Sequence, residues 1–410
     1  MHHICGQIRH TTTQYVHMQE KSLINRHIAG QISVASKFYH AITLTGPRQS
    51  GKTTLVRNFF PELPYVNFED IPTRMEAMND IKAFIRRFPK GLIIDEAHNY
   101  PDIFSAIQVE IDEDIFNRKK ERLFIVTGSS NFSLLEKVTQ SMAGRTAVLS
   151  LLPLSLKELG QQVKNVSTDT LILNGGYPAI WANDIPRTML FSDYYSTYVE
   201  RDARQVVNLK EINAFHHFIR LCAGRIGSEF NASALSSETG ATTRTINNWL
   251  NILGASYIVY LLPPYHENIG KRLTKTPKLY FYDTGLAAYL LGIANENQLQ
   301  THPLRGSLFE NFVINEMLKE RYNHGLDNNF CFYRDKSHRE VDVIQVNGLS
   351  LNAYEIKSSM TYKPDFFNNI NYFKSLLNEK IVRTAVIYDG ENENHNPEYA
   401  LYNFRNFSLE

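Results

Sequence analysis

The residues best suited to chemistry lie at positions 46–53, where GPRQSGKT fits the pattern G-x-x-x-x-G-K-[ST] directly after the apolar run AITLT. In such a segment the glycines let backbone N–H groups turn inward around phosphates, the lysine neutralises phosphate charge and the threonine hydroxyl can ligate Mg²⁺. A glycine-rich turn is the alternative, but the flanking strand and helix patterns favour a nucleotide-binding loop. The predicted contact residues are Gly46, Pro47, Arg48, Gln49, Ser50, Gly51, Lys52, Thr53 and Thr54.

Asp95 and Glu96 end a second apolar run, LIIDE. Ligands of parallel sheets bind at the carboxyl ends of the strands, so both acids are expected near the loop at 46–53. Asp95 would hold Mg²⁺ together with Thr53, and Glu96 would orient and activate an attacking water. Alone, the acid pair could be a helix cap. Together with the loop, it predicts ATP and Mg²⁺ as cofactors and hydrolysis as the reaction.

The surrounding elements have the order that such a site needs. Between residues 21 and 160, apolar runs of strand length alternate with helical stretches, which is typical of an α/β fold with a parallel sheet. The candidate strands are 41–45, 65–68, 91–95, 122–128 and 146–152.

These motifs together resemble the AAA+ ATPases. The resemblance implies a polar sensor of the γ-phosphate in IVTGSSN, either Ser130 or Asn131, of which Asn131 is the candidate carried forward. It also implies that Arg145, just before the fifth strand, acts on the ATP of an adjacent subunit, although an arginine at a helix end is ordinarily a C-terminal cap. A trans-acting arginine implies a homo-oligomer when ATP is bound.

A helical lid is predicted at 161–205, and its segment Gly175-Gly176-Tyr177-Pro178 resembles the element by which related ATPases contact nucleotide. Pro178 is therefore a candidate nucleotide contact, and a tight turn is the alternative. Arg201, Asp202 and Arg204 follow on the lid without an assigned role.

Residues 206–300 resemble a winged helix-turn-helix. Apolar residues recur at helical spacing at Ile246, Trp249, Leu250 and Leu253, and predict a buried stripe. The opposite face is polar, and a basic cluster is expected on the wing, comprising Lys271, Arg272, Lys275 and Lys278. These features suggest contact with DNA through its backbone. A packing or dimerisation element is the alternative.

The last predicted domain, 301–410, carries Glu310 on a helix, Asp342 in EVDVI and Glu355 with Lys357 in EIK. Residues i and i+2 of a strand share a face, so Glu355 and Lys357 project together. A hairpin at Asn347-Gly348 would bring them beside Asp342. Asp342 and Glu355 can bind Mg²⁺, while Lys357 can orient water or stabilise charge on phosphate.

This site resembles the PD-(D/E)xK nuclease fold, in the variant where a helical glutamate, here Glu310, completes the site. Val341 stands where the family pattern has proline. Two alternatives remain: solvated charges on a hairpin, or a nuclease fold kept for binding without cutting.

Composition sets outer limits. The chain has 410 residues, 43 Lys and Arg against 42 Asp and Glu, and three distant cysteines, so a uniformly basic protein and a disulfide framework are excluded. A reducing cytoplasm, no membrane span and a flexible extension at 1–20 are expected.

The order of parts resembles a prokaryotic family of AAA-type ATPases fused to a C-terminal domain of unknown function. The predicted function is an ATPase acting on DNA, with a candidate Mg²⁺-dependent nuclease site and a protein partner left open. The alternative is a nucleotide-operated DNA- or protein-binding switch that cuts nothing.

Overall fold

The computed structural model describes residues 23–128, 142–199, 211–265, 275–396 and 399–409. The predicted extension at 1–20 lies outside these residues, as do Ser130, Asn131, Arg201, Asp202 and Arg204.

The N-terminal part is built on a five-stranded parallel sheet in the order β2-β3-β4-β1-β5. The predicted α/β fold with a parallel sheet is confirmed, and the predicted strands differ from the observed ones only at their ends. The strands are β1 Ala41–Thr45, β2 Tyr65–Asn67, β3 Gly91–Asp95, β4 Leu123–Thr127 and β5 Thr146–Ser150.

Helices cover both faces of this sheet because successive strand residues point to opposite sides. Ile93 and Ile125 pack with α1 and α2, whereas Ile94 and Val126 pack against α5. This two-sided burial explains why β1 and β3 are buried throughout and are mainly apolar. The helices are α1 Ala29–Phe38, α2 Lys52–Phe59, α3 Ile71–Asn79, α4 Ile81–Arg86 and α5 Asp102–Phe116.

After β5 the chain is mainly helical. Short 3₁₀ turns occur at Ala97–Asn99, Gly160–Val163, Pro364–Phe367 and Asn378–Lys380, and a π-helical turn at Tyr195–Val199. The helices of this part are α6 Leu156–Leu159, α7 Thr168–Asn174, α8 Pro178–Asn183, α9 Arg187–Tyr194, α10 Ile212–Ala223, α11 Ala232–Thr239, α12 Thr243–Ala255, α13 Thr284–Leu290 and α14 Glu296–Gln300.

Helices α11 and α12 form a helix–turn–helix pair. The side chains of Asn231 and Thr242 cap the two helices, and Gly240 ends the first with φ 73°. Trp249 of α12 packs on Phe215 and Phe218 of α10, with ring centroids 5.6 and 5.5 Å away. The predicted stripe is buried and the opposite face of α12 is exposed.

In the described residues, the two strands after α12 are buried rather than exposed. β6 Val259–Leu262 and β7 Lys278–Phe281 pair antiparallel, and nearly all their residues are buried. The assignment of Lys278 to a surface basic cluster is wrong, since only 2% of Lys278 is exposed. Lys275 is exposed, whereas Lys271 and Arg272 lie outside the described residues.

The C-terminal part is a second five-stranded sheet, in the order β12-β11-β10-β9-β8. The antiparallel hairpin β9–β10 is as predicted, but Asn347 pairs with Ser350 and the loop residues are Gly348 and Leu349. Gly348 takes φ 65°, which suits glycine at the first loop position of a two-residue hairpin. The elements are α15 Arg305–Asn323, β8 Phe330–Arg334, β9 Glu340–Asn347, β10 Ser350–Lys357, α16 Asn368–Leu377, β11 Ile381–Tyr388 and β12 Ala400–Asn403.

One apolar core joins the helical part to the C-terminal part; it contains residues from Leu152 to Phe407. Two buried asparagines on α15 are paired with backbone groups at this core. The Asn311 side chain on α15 accepts from the backbone N–H of Phe281 and donates to its carbonyl, both at 2.8 Å. Asn315 donates to the same carbonyl at 2.9 Å. These bonds pair the backbone N–H and carbonyl of Phe281, the last residue of β7, with side chains of α15.

Asn311→Leu is expected to lower the free energy of unfolding by about 2 kcal/mol, because the buried N–H of Phe281 loses its acceptor. Urea unfolding followed by tryptophan fluorescence would measure this, since Trp181 and Trp249 both pack in or against the joint core. The control is Asn297→Leu at an exposed position of α14, expected to change stability by less than about 0.5 kcal/mol. Equal effects at both positions would contradict the role of Asn311.

Candidate functional site

The loop at 46–53 connects β1 to α2, and its backbone geometry depends on glycine. Gly46 has φ 142°, and a Cβ atom there would lie 2.1 Å from the carbonyl oxygen of Leu151. Gly51 has φ 92° and immediately precedes the first residue of α2. The loop therefore ends at a helix N-terminus, where backbone N–H groups favour an anion.

Lys52 lies folded into this loop. Its Nζ donates to the carbonyls of Gly46 at 3.0 Å and Pro47 at 2.7 Å. Burial lowers the pKa of Lys52 to about 8, although the carboxylates of Glu96 and Asp95 favour the charged form. Next to it, the buried Ser50 hydroxyl has no hydrogen-bond partner among the described residues. An unpaired buried hydroxyl beside a lysine fits a phosphate oxygen.

Asp95 gathers hydroxyl groups from three elements. Its Oδ2 accepts from Thr53 Oγ1 and from Tyr65 Oη, both at 2.8 Å, and its Oδ1 accepts from Thr127 Oγ1. Thr53 and Asp95, the predicted Mg²⁺ ligands, are thus brought together. Such hard oxygen donors suit Mg²⁺, with water and phosphate oxygens completing its shell.

Glu96 has a left-handed backbone, φ 50° and ψ 42°. Its Oε2 lies 3.1 Å from Nδ1 of His98. Burial acts to raise the pKa of Glu96, but His98, Arg48 and Lys52 outweigh it and lower the pKa to about 2. Glu96 is therefore ionised at neutral pH and can accept a hydrogen bond from water.

A cavity of about 1060 Å³ opens over the loop and is lined by Lys52, Thr53, Asp95 and Glu96. Pro178 also lines it, and its Cγ would lie 3.8 Å from a Cβ built on Gly51. Pro178 thus lies against the loop, as the nucleotide-contact hypothesis requires.

Asp283 holds the segment that leads to Pro178. Its Oδ2 accepts from the backbone N–H of Gly176 at 2.8 Å, while its Oδ1 accepts from Gly285 and Leu286 of α13. Gly175 has φ 60°, and a Cβ atom there would lie 2.2 Å from Asp283 Oδ1. Gly175 therefore allows the close approach of Asp283, while Gly176 allows that of Leu154, whose carbonyl oxygen would lie 2.5 Å from a Cβ atom built there.

Arg26 is a residue of this site that the sequence reading missed. Its guanidinium donates to the carbonyls of Ser50 at 2.7 Å and Leu152 at 2.6 Å, and to Glu158 Oε1 at 3.0 Å. Through the bond to Ser50, Arg26 stabilises the loop at 46–53, although it lies outside the sequence motif. Because it lies about twenty residues upstream in a segment without a pattern, no sequence signal identified it.

Arg145 precedes β5, as predicted. Its Nη2 lies 2.9 Å from Asp112 Oδ2 of α5, and its Nε donates to Asp112 Oδ1. The guanidinium is thus held by its own chain at a partly exposed position. Asn131, the proposed sensor, lies outside the described residues.

The predicted C-terminal site residues also converge. Tyr354 of β10 pairs with Val343 of β9, so Glu355 and Asp342 are opposite each other on adjacent strands. Lys357 Nζ donates to Glu355 Oε1 at 2.6 Å. Asp342 Oδ2 accepts from the backbone N–H of Ile356 at 2.7 Å.

Glu310 of α15 lies near these groups, together with Glu340 and Lys278. The sequence did not indicate Glu340, and it placed Lys278 on the wing. One oxygen each of Glu310, Glu340 and Asp342 lie within 4.8 Å of one another. Glu340 is two residues before Asp342 on the same strand face, so strand periodicity could have found it. Lys278 Nζ lies 3.2 Å from Glu310 Oε1 and also donates to Glu340 Oε1. No local pattern indicates Lys278.

Burial dominates the electrostatics of this cluster. It raises the pKa of Asp342 well above the usual range, and the neighbouring Glu355 and Glu310 raise it further. Burial also raises the pKa of Glu355, although Lys357 opposes this. Oε2 of Glu355 is buried without a hydrogen-bond partner in the described part of the chain. The cluster thus has an unused oxygen for a metal ion.

Comparison with known proteins agrees with the order of these parts. A family model described as an AAA domain matches residues 39–160, and two models described as domains of unknown function, DUF8612 and DUF4143, match 165–297 and 305–404. The matches support an AAA-type P-loop domain of the nucleotide-binding class, followed by a C-terminal α/β domain of unknown function.

An uncharacterized protein of Mycobacterium tuberculosis is 28% identical over 85% of this chain and 76% of its own length. One of Haemophilus influenzae is 24% identical over 82% of this chain and 88% of its own. Among solved structures, the Walker-type ATPase PABY2304 of Pyrococcus abyssi has 13% identity and a TM-score of 0.41, covering 65% of this chain and 96% of that one. In the described ranges, no helix has the length and apolarity needed to cross a bilayer.

Triphosphate binding is expected to weaken about tenfold between about pH 7 and about pH 9, because Lys52 loses its proton as the pH rises through a pKa of about 8. Glu96, with a pKa of about 2, stays ionised over this range. Titration with a fluorescent ATP analogue at each pH measures the effect. Lys52→Arg should flatten the profile, since arginine stays charged; an unchanged slope in that variant would assign the pH dependence to another group.

Proposed function

We propose that this chain binds Mg²⁺-ATP at the loop 46–53 and hydrolyses it. The observation that carries this proposal is the contact between the Thr53 hydroxyl and Asp95 Oδ2 at the mouth of a cavity that also contains Lys52 and Glu96. A glycine-rich turn without nucleotide chemistry gives no reason for these four groups to meet.

Each residue has a separate role. Backbone N–H groups at the start of α2 and the Lys52 ammonium would hold the phosphates, and Thr53 and Asp95 would hold Mg²⁺, which would neutralise phosphate charge. Glu96 accepts a hydrogen bond from the attacking water and orients it. With a pKa of about 2 the carboxylate is a weak base, so its contribution is mainly positioning.

The proposal includes a homo-oligomer in the ATP-bound state, with Arg145 reaching the nucleotide of the neighbouring subunit. For this, Arg145 exchanges Asp112 for phosphate oxygens. Pro178 and the segment held by Asp283 report the nucleotide state to the helical part. Asn131 remains the proposed γ-phosphate sensor, and a cytoplasmic location remains part of the proposal.

Lys52→Ala is expected to abolish ATP binding and turnover, because an uncompensated phosphate charge stays in the loop. Glu96→Gln is expected to keep binding but reduce turnover about 100-fold or more, since the neutral amide is a weaker hydrogen-bond acceptor for the attacking water than the carboxylate and orients it less well. Phosphate release and nucleotide titration measure both. Lys37→Ala, at an exposed site on α1, is the control and should act as wild type. Unchanged turnover in Glu96→Gln would refute the role of Glu96.

A second activity is proposed for the C-terminal part: Mg²⁺-dependent cleavage of DNA. The supporting observation is the opposition of Asp342 and Glu355 on adjacent strands, with Lys357 bonded to Glu355 and with Glu355 Oε2 unused. Asp342 and Glu355 would hold Mg²⁺, with Glu310 in support. Lys357 would orient the attacking water or stabilise charge developing on phosphate.

DNA contact is proposed through the exposed face of α12. Its side chains are short, polar and suited to phosphate oxygens, and they carry one arginine, which favours backbone contacts over base readout. They are Thr243, Arg244, Asn247, Asn248 and Asn251. ATP state in the N-terminal part would then control how the DNA is presented to the C-terminal site.

Lys357→Ala is expected to abolish cleavage of single-stranded, duplex or branched DNA in Mg²⁺ or Mn²⁺, because the developing phosphate charge loses its partner. Gel assays with labelled substrates measure cutting. Lys363→Ala, at an exposed position nearby, is the matched control and should cut normally. Wild-type protein that cuts none of these substrates would favour the alternative, a nucleotide-operated switch that binds DNA or a protein partner without nuclease activity.

A further inference from the structure

The acid cluster of the C-terminal part, defined by the carboxylates of Glu310, Glu340, Asp342 and Glu355, contains a cation from outside that part. Lys278 belongs to β7, which pairs with β6 rather than with the C-terminal sheet. Its side chain is only 3% exposed, so its ammonium is a fixed component of the cluster.

The ammonium occupies a position that a metal ion could take. One oxygen from each of Glu310, Glu340 and Asp342 lie within 4.8 Å of one another, which is the spacing of ligands around a single cation. Lys278 Nζ is bonded to two of these carboxylates. Tyr280, two residues further along β7 on the same face, donates to Glu310 as well. Strand β7 thus supplies two hydrogen-bond donors to Glu310.

A different position in the cluster lacks a partner. Only 2% of Glu355 is exposed. Its Oε2 is buried and accepts no hydrogen bond from the described residues. Asp342 is opposite it and uses Oδ2 on the backbone of Ile356. A buried carboxylate oxygen without a donor costs free energy unless a proton or a cation is bound to it, so this oxygen is open to a metal ion when Glu355 is ionised. This independent observation points to an ion between Asp342 and Glu355.

The charges favour one added ion over two. Four carboxylates and the ammonium groups of Lys278 and Lys357 leave two negative charges when all are ionised. Arg334, at the edge of the cluster, contacts both Glu340 and Glu229. Its positive charge is balanced by Glu229, so the pair does not change the net charge of the cluster. One divalent cation neutralises this cluster. A second would leave two positive charges beside the buried Lys278, without an anion to balance them.

We infer that Lys278 permanently fills one of two cation positions in the acid cluster, so that the site takes a single divalent cation, between Asp342 and Glu355. This inference rests on the metal site of the proposed nuclease function. It assigns to the site a one-metal chemistry, in which Lys357 rather than a second metal stabilises charge on the substrate phosphate.

The test is the number of Mn²⁺ ions bound per chain, measured by calorimetry and by electron paramagnetic resonance on nucleotide-free protein. All variants are made in an Asp95→Asn background, which removes the metal ligand of the ATP site. The starting chain should bind one Mn²⁺ and Lys278→Met should bind two, because the vacated position retains Glu310 and Glu340. Lys275→Met, at an exposed lysine three residues upstream, is the control and should bind one.

The outcomes separate the inference from the proposed function. Two ions in the starting chain, or one in both it and Lys278→Met, would overturn the inference but leave the metal site intact. No ion in the starting chain and one in Lys278→Met would overturn the metal site of the proposed function and the inferred single cation between Asp342 and Glu355, and would leave only the occupation of one position by Lys278. No ion in either chain would overturn both.

A second pair of variants keeps the test decisive if Lys278→Met does not fold. Glu340→Gln should still bind one Mn²⁺, because Glu340 is an ion-pair partner of Lys278 and not a ligand of the metal. Asp342→Asn should bind none. Loss of Mn²⁺ in both variants would place Glu340 on the metal and overturn the inference.

Discussion

The arrangement of the nucleotide-binding loop and the acid cluster depends on the hydrogen bonds that the buried carboxylate of Asp283 accepts. It accepts three backbone N–H groups, one from Gly176 and two from the start of α13, and it lies two residues after β7. Burial raises its pKa, but these donors and the nearby Lys319 counter that cost. Through Asp283, the segment that ends at Pro178 is fixed to the strand that carries Lys278.

A short stretch of chain therefore touches both sites. Lys278 at the start of β7 lies in the acid cluster, while Asp283 after its end holds the segment against the phosphate loop. A separate contact joins the loop to the helix–turn–helix pair: Tyr257, just after α12, bonds through its hydroxyl to Thr45, the residue before Gly46, at 3.0 Å. These contacts connect the phosphate loop to the residues that follow α12, and the segment before Pro178 to the residues that follow β7.

Local sequence patterns predicted what depends on local geometry. The strands around Gly46 and Asp95, the buried stripe of α12, and the hairpin that opposes Asp342 to Glu355 all follow from periodicity and turn chemistry. Arg26 and Lys278 could not be predicted in the same way, because their partners are more than twenty residues away in sequence and no fixed spacing relates them. Lys278 was misplaced for a physical reason: a lysine beside Pro277 and other basic residues reads as exposed, and only the tertiary fold supplies the carboxylates that make its burial tolerable.

Lys278 lies outside the segment that the C-terminal family model matches, although it contacts acids within that segment. The C-terminal family match begins at residue 305, so the segment recognised by similarity contains all four acids but neither Lys278 nor Tyr280. A fragment cut at that boundary would carry the acids without the ammonium that balances two of them, and would expose the surface of α15 that saturates Phe281. The segment that the C-terminal family model matches is thus smaller than the part of the chain that contains the acids together with the ammonium group that balances two of them.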